Sequence, residues 1–321
     1  MIQKDDPPME HLFILNPAAG KYDQTEEFTQ KIRQVFDPAG LPYRILRSQK
    51  KGDCTRFARE AAAAGSPIHI YACGGDGTLN EVVSGIAGFD NAAVTHFPGG
   101  SGNDFIKIFD DPSAFRDLRR LLDWEEARFD LIECNGRYAL NVCSAGLDAR
   151  IGTQIADYKR LPFVTGAGSY ILSALVNVIR GVSQPFVVEI GGETISGEQT
   201  MICAINGRCY GGSFYAVPDA DPGDGLLDVL LVHKVSRLGV IRFIRKYQTG
   251  QYRSVPQLVR HIRTDALRIM CPEETSVNLD GELIHAKTID IRLHPQKIRF
   301  FYPKGLSYTP ADKPTKSSPD L

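Results

Sequence analysis

The sequence lacks the features of metal-bound, disulfide-bonded or secreted proteins. Its seven cysteines are scattered, with no C-x-x-C pair and no spacing typical of metal ligands. Such a set indicates unpaired thiols in a reducing compartment. The N-terminal stretch MIQKDDPPMEH has no apolar core of the kind that a signal peptide needs. We therefore expect a cytoplasmic protein.

Long hydrophobic runs and an excess of one charge are also missing. The most apolar long segment, Leu161–Ile179, carries four polar residues between Thr165 and Asn177. It predicts an amphipathic helix that is too short to span a bilayer about 30 Å thick. The formal net charge is −1, so bulk electrostatics favours neither nucleic acid nor a membrane as partner. With 321 residues, 43% of them hydrophobic, the chain suits a globular protein of two domains.

Glycine, by contrast, is concentrated in the stretch around which the chain is organised. Residues 68–85 read IHIYACGGDGTLNEVVSG, which predicts a strand, a glycine-rich turn and a helix from Leu79. Gly74, Gly75 and Gly77 remove the Cβ atoms that would keep backbone N–H groups away from a phosphate. Asp76 between them has a use only if it holds a cation or orients a hydroxyl. Alone, a G-G-x-G turn more often just closes a βα unit.

A similar strand and turn come before this stretch, and a second glycine-rich loop comes after it. The apolar strand His11–Leu15 precedes the helix Thr25–Phe36, and the strand Ala93–Phe97 runs into Pro98-Gly99-Gly100-Ser101-Gly102-Asn103-Asp104-Phe105. Parallel strands bring such loops to one edge of a sheet, where ligands bind. The turn after the first strand reads Asn16-Pro17-Ala18-Ala19-Gly20-Lys21.

Alternating strands and helices up to about Trp124 predict an open α/β domain with a largely parallel sheet. Short β-type runs follow, interrupted by two helices near Gly168–Arg180 and Arg237–Thr249, and they predict an antiparallel β-rich domain. The site is expected in the cleft between the domains. The predicted β-type runs are Asp130–Glu133, Tyr138–Cys143, Phe186–Ile190, Thr200–Asn206, Leu227–His233, Ala266–Met270, Ser276–Leu279 and Thr288–Leu293. The predicted divisions are an α/β domain over 1–125, a β-rich domain over 126–303 and a flexible tail over 304–321.

These motifs, in this order, resemble the diacylglycerol kinase catalytic family, which includes bacterial soluble lipid kinases, sphingosine kinases and ceramide kinases. The likeness is carried by N-P-x-x-G, by GGDGT with Asn80-Glu81, and by the loop Gly100–Phe105, where Ser101 replaces the usual Thr. NAD kinases and 6-phosphofructokinases share GGDGT but not the later loop in this form. The resemblance implies a nucleotide-binding α/β domain like that of NAD kinases and diacylglycerol kinases, followed by an antiparallel β sandwich.

The resemblance further implies that ATP binds at the glycine loops and that its γ-phosphoryl group passes to a lipid hydroxyl, with diacylglycerol the first candidate. Ser48 matches a family position that touches the nucleotide, although the sequence alone favours a helix-start or turn residue there. The residues that the resemblance assigns to ATP are Asn16, Pro17, Ala18, Ala19, Gly20, Lys21, Ser48, Gly74, Gly75, Asp76, Gly77, Thr78, Leu79, Asn80, Glu81, Ser101, Gly102 and Asn103.

Two carboxylates of the second half match family positions. Asp148, in the stretch Asn141–Ala149, fits a polar site wall and equally well a solvent-facing turn. Asp130 matches a family aspartate in a hydrogen-bonded carboxylate network near the metal. Both assignments are implied by the resemblance.

An acidic loop follows, with four aspartates within residues 219–228. Carboxylates among glycines and prolines suit a hard cation, and the spacing excludes an EF-hand. By resemblance, the loop holds a structural Mg²⁺ through Asp224 and the main-chain oxygens of Asp221 and Leu226. Family members often have Leu-Asp-Asp-Gly where this chain has Pro222-Gly223-Asp224-Gly225. An acidic turn without metal therefore stays open.

The segment Asp280-Gly281-Glu282 carries the last pair of acids. Strand alternation places Asp280 and Glu282 on one face of the extended chain, while a hairpin with solvated acids is the alternative for this tripeptide alone. By resemblance, Glu282 is the base that takes the proton of the attacking hydroxyl, with Asp280 in support. Asp76 and Asp104, near the metal-bound phosphates, complete the implied catalytic set.

Basic residues offer a route to the lipid. Two basic stretches suit either anionic head groups, at about 1 kcal/mol for each charge, or an ordinary solvated face. They are Arg119-Arg120 and the segment Arg237–Arg263, with Arg242, Arg245, Lys246, Arg253, Arg260 and Arg263. We expect peripheral contact with the inner face of the membrane and no nucleic acid, and we leave a homodimer through edge strands open. An NAD or sugar kinase and a non-catalytic nucleotide-binding module are the rival interpretations.

Overall fold

The computed structural model describes residues 9–150 and 183–308, which form two sheets. The first sheet has six strands in the order β2-β1-β3-β4-β15-β5. These strands are β1 (Glu10–Leu15), β2 (Tyr43–Arg47), β3 (Ile68–Gly74), β4 (Ala92–Pro98), β5 (Trp124–Phe129) and β15 (Ile298–Pro303).

All neighbours in the first sheet are parallel except β5, which runs antiparallel to β15 at the edge. Every residue of β3 and β4 is buried, as expected for central strands of a parallel sheet that is covered on both faces. The helices α1 (Thr25–Ala39), α2 (Asp53–Ala63) and α3 (Asp76–Ile86) follow the first three strands. In α1, Phe28, Ile32 and Phe36 recur every four residues and form its buried stripe.

The second sheet has nine strands, and all its pairs are antiparallel. Register shifts after Gln199 and Met270 bend the two longest strands. Each of these two strands pairs with β9 on one side of its bend and with β8 on the other. The helix α4 (Arg237–Gln248) packs Phe243 and Tyr247 into an adjoining core. The strands are β6 (Ile132–Cys134), β7 (Arg137–Ala139), β8 (Val142–Gly146), β9 (Gln184–Ile190), β10 (Glu193–Ile205), β11 (Leu227–His233), β12 (Val259–Thr264), β13 (Ala266–Leu279) and β14 (Glu282–Leu293).

The predicted fold class is confirmed: an open, mostly parallel α/β domain is joined to an antiparallel β-rich domain. The predicted division at residue 125 assigns β15 and most of β5 to the β-rich domain. Both strands instead complete the first sheet. β15 joins a sheet whose other parallel strands lie some 200 residues earlier. Local sequence patterns identify strands but not such distant partners.

Three element boundaries also differ from the predictions. The helix α3 begins at Asp76 rather than Leu79. The prediction started it too late because the glycine and the acid of its first turn are residues typical of loops. The runs predicted on either side of residue 271 form one bent strand, β13. Residues 304–308, predicted as the start of a tail, pack on the first domain, where Tyr308 contacts Phe129 and Tyr302. The predicted helix Gly168–Arg180 and the apolar segment Leu161–Ile179 lie outside the described residues.

Among the helices in the described ranges, none combines the length and the apolar character needed to cross a bilayer.

Candidate active site

The two glycine-rich loops lie against each other at one edge of the first sheet. They follow the adjacent parallel strands β3 and β4, and Gly99 donates its backbone N–H to the carbonyl of Gly74 at 2.8 Å. A Cβ placed on Gly100 would lie 2.5 Å from the Cα of Gly75. The backbones are therefore in direct contact, and only glycine allows this approach.

The three glycines of the first loop have different surroundings. A Cβ on Gly74 would meet the Thr78 side chain at 2.3 Å, and one on Gly75 would meet Gly100 at 3.3 Å. A Cβ on Gly77 would meet no described atom within 4 Å. Packing inside the protein thus requires glycine at Gly74 and favours it at Gly75, while open space for a ligand lies over Gly77.

The turn after β1 joins the same edge. The Asn16 side chain donates from Nδ2 to the Thr78 hydroxyl at 2.9 Å, and its Oδ1 accepts from the N–H of Ala18 at 3.0 Å. Gly20 has φ +83°, and a Cβ there would lie 2.6 Å from the carbonyl of Gly99. Three of the predicted ATP-binding segments are therefore in contact. The segment Asn16-Pro17-Ala18-Ala19-Gly20-Lys21 borders both glycine loops.

Two carboxylates stand close together here: Asp76, which is half-buried and begins α3, and Asp104, which is buried and follows the second glycine loop. Asp76 accepts the backbone N–H of Asp104, and Asp104 accepts from the Lys107 ammonium at 2.6 Å and from the N–H of Gly212 at 2.8 Å. Burial, and then the neighbouring Asp104, raise the pKa of Asp76 to about 6. Burial works against the charge of Lys107, but the hydrogen bond to Asp104 and the charge of Asp104 together outweigh it, so the pKa of the ammonium is raised.

Asn103 closes the second glycine loop on itself. Its backbone has φ +49°, and its side chain both accepts from the N–H of Gly100 at 3.2 Å and donates to the Gly100 carbonyl at 2.8 Å. The amide therefore shapes the loop. Ser101 at the loop tip is exposed, and Gly102 lies next to the carboxylates of Asp76 and Asp104.

The remaining predicted ATP-binding residues lie further along α2 and α3. Leu79 is in the hydrophobic core. Glu81 accepts backbone N–H groups of Gly52 and Cys54 at the start of α2. Ser48 is buried after β2 and donates its backbone N–H to Leu15. Leu79 donates its backbone N–H to the carbonyl of Gly75 at 3.1 Å, within the helix start, while Glu81 and Ser48 bond to other segments.

Asn80 connects the helix to the second domain. It lies one turn after Asp76 on α3, and its side-chain amide donates to the carbonyl of Tyr138 at 3.0 Å and to Asp280 Oδ2 at 3.3 Å. The Asp280 carboxylate is buried and accepts three consecutive backbone N–H groups, those of residues 140, 141 and 142. Burial raises the pKa of Asp280 in spite of these bonds.

The expectation that Asp280 and Glu282 share one face of an extended chain is wrong. Leu279 and Glu282 pair directly across a two-residue turn, in which Asp280 has φ +50° and Gly281 φ +93°. The turn reverses the chain, so Asp280 points into the protein while Glu282 forms an ion pair with Lys51 of the first domain. The alternative, a hairpin with two solvated acids, is correct for the course of the backbone, but only Glu282 of the two acids is near solvent.

A groove runs between α3 and this hairpin. Its volume is about 270 Å³, and residues of both domains line it. Asp76, Asn80 and Ser84 follow each other at intervals of one turn on α3, so the groove continues the helix face that begins at the glycine loops. A larger cavity of about 760 Å³ lies at the β9–β10 turn and contains no predicted site residue. The groove is lined by Lys51, Thr55, Arg59, Asn80, Glu81, Ser84, Arg137, Tyr138, Glu282, Leu283 and Ile284, among others.

The other predicted acids lie apart from the glycine loops. Asp148 is buried and bonded to the Ser144 hydroxyl at 2.5 Å, so the solvent-facing alternative is wrong, and burial raises its pKa. Asp130 bonds to the acidic loop through the N–H of Gly225. Within the ranges 9–150 and 183–308, no three His, Cys, Asp or Glu side chains are arranged to hold a metal.

Sequence reasoning missed three supporting residues. His96 donates from Nε2 to the carbonyl of Gly74 at 2.9 Å, and burial lowers its pKa to about 4. Gln24 donates to the carbonyl of Gly99 at 2.8 Å. Lys107 stands three residues after Asp104, a spacing that would have suggested the ion pair had a helical turn been expected there.

Comparison with known proteins gives matches over most of the chain. A family model described as "Diacylglycerol kinase catalytic domain" matches residues 10–134, and one described as "YegS C-terminal NAD kinase beta sandwich-like domain" matches residues 141–302. A curated "Putative lipid kinase" of Staphylococcus carnosus (strain TM300) is 26% identical over 301 residues, which cover 91% of this chain and 96% of the relative. Another from Staphylococcus aureus (strain MRSA252) is 28% identical over 260 residues, covering 79% and 85%.

Solved structures agree with these matches. The crystal structure of a "putative diacylglycerol kinase" from Bacillus anthracis str. Sterne has a TM-score of 0.71 and 25% identity, covering 93% of this chain and 98% of its own. A further one from the same organism has a TM-score of 0.66 and 23% identity, covering 92% and 99%, and shares the fold.

Proposed function

Because the chain belongs to the diacylglycerol kinase catalytic-domain family of ATP-dependent lipid kinases, we propose that it transfers the γ-phosphoryl group of ATP to diacylglycerol, giving phosphatidic acid. The observation that carries the proposal is the contact between the two glycine loops beside the adjacent carboxylates of Asp76 and Asp104. Phosphoryl transfer depends on positioning and on neutralised charge more than on covalent chemistry. This edge of the sheet offers both.

The phosphates of ATP fit the N-terminus of α3. Gly75, the N-cap, has no side chain to accept from the first turn. The N–H of Thr78 donates to the Gly75 carbonyl, so the N–H groups of Asp76 and Gly77 are the ones offered to an anion, and the helix dipole favours negative charge there. The open space over Gly77 lies at this turn. Asn16 and Thr78 hold the neighbouring turn in place through their mutual hydrogen bond.

Mg²⁺ is proposed as the cation that accompanies ATP. Asp76 and Asp104 are hard oxygen donors, and the raised pKa of Asp76 supports this, since adjacent buried carboxylates favour a cation between them. When bound, Mg²⁺ would supply screening of phosphate charge. Lys107 already neutralises part of the negative charge of the two carboxylates by pairing with Asp104.

The groove beside α3 is the proposed acceptor site, with Glu282 as the general base. Glu282 is about one-third exposed, and Lys51 contacts its carboxylate across the groove. An acceptor hydroxyl that reaches Glu282 must therefore displace or share the Lys51 contact. Asp280 fixes the hairpin that presents Glu282, so its role is positioning.

A lipid alcohol that carries a phosphate, such as phosphatidylglycerol, is the second candidate acceptor. Lys51, Arg59 and Arg137 line the same groove, and these cations suit an anionic head group. A neutral diacylglycerol makes no use of them.

The test is a panel of acceptors with labelled ATP and Mg²⁺ in mixed micelles. Diacylglycerol, phosphatidylglycerol, a sphingoid base and NAD are compared, with Asp76→Ala as the blank. We expect labelled phosphatidic acid as the main product. Label in phosphatidylglycerol alone would make that lipid the acceptor instead of diacylglycerol, and label in NAD alone would show that the substrate is not a lipid. ATP binding without turnover on any acceptor would indicate a regulatory module.

Glu282→Gln tests the base. Removing a positioned base typically lowers the rate by about 10²–10⁴-fold, so we expect that loss in kcat with an unchanged melting temperature. Glu274→Gln, at an exposed position of β13, is the matched control and should keep full activity. Near-wild-type turnover of Glu282→Gln would show that Glu282 is not the general base.

Contact with a membrane is proposed through α4. Arg253 and Arg260 form ion pairs with acids of the protein, so the helix offers the better surface. Leu238 is 71% exposed, and Arg242 and Arg245 follow on the same helix face. We expect binding to vesicles that rises with anionic lipid content and weakens in Arg242→Glu. Binding indifferent to anionic lipid would refute this surface.

A further inference from the structure

The acidic loop over residues 218–228 is held at the junction of the two domains by a buried carboxylate. Asp130 follows β5 of the first sheet, and its side chain is only 4% exposed. Its backbone N–H donates to the Pro222 carbonyl at 2.6 Å, and its Oδ2 accepts from the N–H of Gly225 at 2.8 Å. A buried charge of this kind requires a counter-charge.

Lys297 supplies that counter-charge. It stands immediately before β15, and its ammonium lies 2.9 Å from Asp130 Oδ1 and donates to the carbonyl of Gly223 at 2.8 Å. One side chain therefore neutralises the buried acid and takes a main-chain oxygen of the loop. A compact ammonium with three donors is suited to this task.

The remaining carboxylates of the loop are also engaged. Asp224 pairs with Arg263 through Oδ2 and accepts the N–H of Leu226 through Oδ1 at 3.1 Å. Asp221 Oδ1 accepts the N–H of Gly223 at 3.1 Å. Mg²⁺ requires near-octahedral oxygen ligands at about 2.0–2.1 Å. The side chain that would serve it here, Asp224, is neutralised by Arg263, as Asp130 is by Lys297. An added divalent ion would meet these two cationic groups, so the loop does not fit the ion.

We propose that the Lys297 ammonium, together with Arg263, takes the structural role of a divalent cation in this loop and holds the domain junction without metal. The junction supports the segment after Asp104, because Arg208 donates to the carbonyl of Ala220 in the loop at 2.9 Å and to that of Ile108 at 2.7 Å. Lys297 is accordingly a positioning residue. The loop needs no ion beyond those that the chain carries.

Thermal unfolding of the full-length protein tests this without ATP or lipid, so its outcome is independent of the proposed reaction. The melting temperature is measured in chelator and across a Mg²⁺ titration for wild type, Asp76→Asn and Asp224→Asn. We expect no Mg²⁺-dependent rise that depends on Asp224. A rise that vanishes in Asp76→Asn places the ion at the glycine loops and agrees with a metal-free acidic loop. A saturable rise that persists in Asp76→Asn and vanishes in Asp224→Asn would overturn the proposal.

Lys297→Met gives the second measurement. It leaves Asp130 buried without its partner, so we expect a melting temperature lower by about 5 °C in chelator. Recovery of the loss on adding Mg²⁺ to this variant alone would support the exchange of cations directly. Lys304→Met is the matched control, since its ion pair with Asp123 is exposed. Equal melting temperatures for Lys297→Met, Lys304→Met and wild type would contradict a structural role for Lys297.

Discussion

At the scale of single residues, Gly77 separates binding from stability. It lies in the first turn of α3, where a Cβ would meet no described atom within 4 Å. Gly85, eight residues later on the same helix, is the opposite case. A Cβ there would lie 2.5 Å from the carbonyl of Thr55 and 2.7 Å from the Ala58 Cβ. One glycine therefore faces open space, and the other allows α2 and α3 to pack.

Gly77→Ala should keep or raise stability by up to about 1 kcal/mol, because alanine favours a helix interior, while ATP affinity falls at least tenfold. Gly85→Ala should lower stability by about 1–3 kcal/mol through overpacking. Urea denaturation and ATP binding, measured on both variants, check the pair. Unchanged ATP affinity in Gly77→Ala would place the phosphates elsewhere.

Asp76 carries a cost in stability that its function explains. Burial beside Asp104 raises its pKa to about 6, so the free energy of unfolding contributed by this group falls as pH rises from its ordinary value near 4 through about 6. Asp76→Asn should therefore raise the stability of the ligand-free protein at pH 7.5 by about 1–2 kcal/mol and abolish turnover. Denaturation in chelator checks the first effect, which should shrink at pH 5.

At the scale of elements, the turn of the β13–β14 hairpin is fixed by the carboxylate of Asp280, which bonds to both domains. Asp280 accepts the N–H groups of residues 140–142 and the amide of Asn80. Asp280→Asn would turn an NH₂ group toward these N–H donors. We expect the free energy of unfolding to fall by about 1–3 kcal/mol and turnover to be reduced. Asp265→Asn, in an exposed turn of the same sheet, should leave both unchanged. Equal urea midpoints for the two variants would show that this fastening is unimportant.

The limits of prediction from sequence follow from the range of each interaction. The two glycine loops and their shared edge could be predicted because a strand, its turn and the next helix are local. The tripeptide Asp280-Gly281-Glu282 suggests a hairpin only as an alternative to an extended chain. The inward position of Asp280 could not be predicted, since its carboxylate is held by backbone groups 140 residues away. The ion pair of Lys107 is local and could be inferred from its spacing to Asp104, whereas His96 contacts Gly74 across two strands, a pairing that no local pattern encodes.

At the scale of the whole molecule, buried histidines of the first domain set the response to acid. Burial lowers the pKa of His11 and of His96 to about 4, and that of His69 well below its ordinary value. These rings stay neutral in the fold, whereas the unfolded chain takes up protons below about pH 6.5. The free energy of unfolding therefore decreases as pH falls through this window, and the raised pKa of Asp76 offsets only part of the loss.

We expect about 2 kcal/mol of lost stability for each of His11 and His96 between pH 7 and pH 4.5. His96→Gln keeps a donor toward the Gly74 carbonyl without titrating, so its stability should depend less steeply on pH. His285→Gln, at an exposed position, should retain the full dependence. Urea denaturation of the two variants across this pH range checks the difference, and parallel curves would contradict the assignment.

The place of β15 between β4 and β5 has a consequence for how the protein is made. The first sheet contains a strand that leaves the ribosome only after every described strand of the second sheet. The first sheet therefore cannot close until the second has been synthesised, and a fragment cut at residue 160 would expose the unpaired flanks of β4 and β5 to other chains.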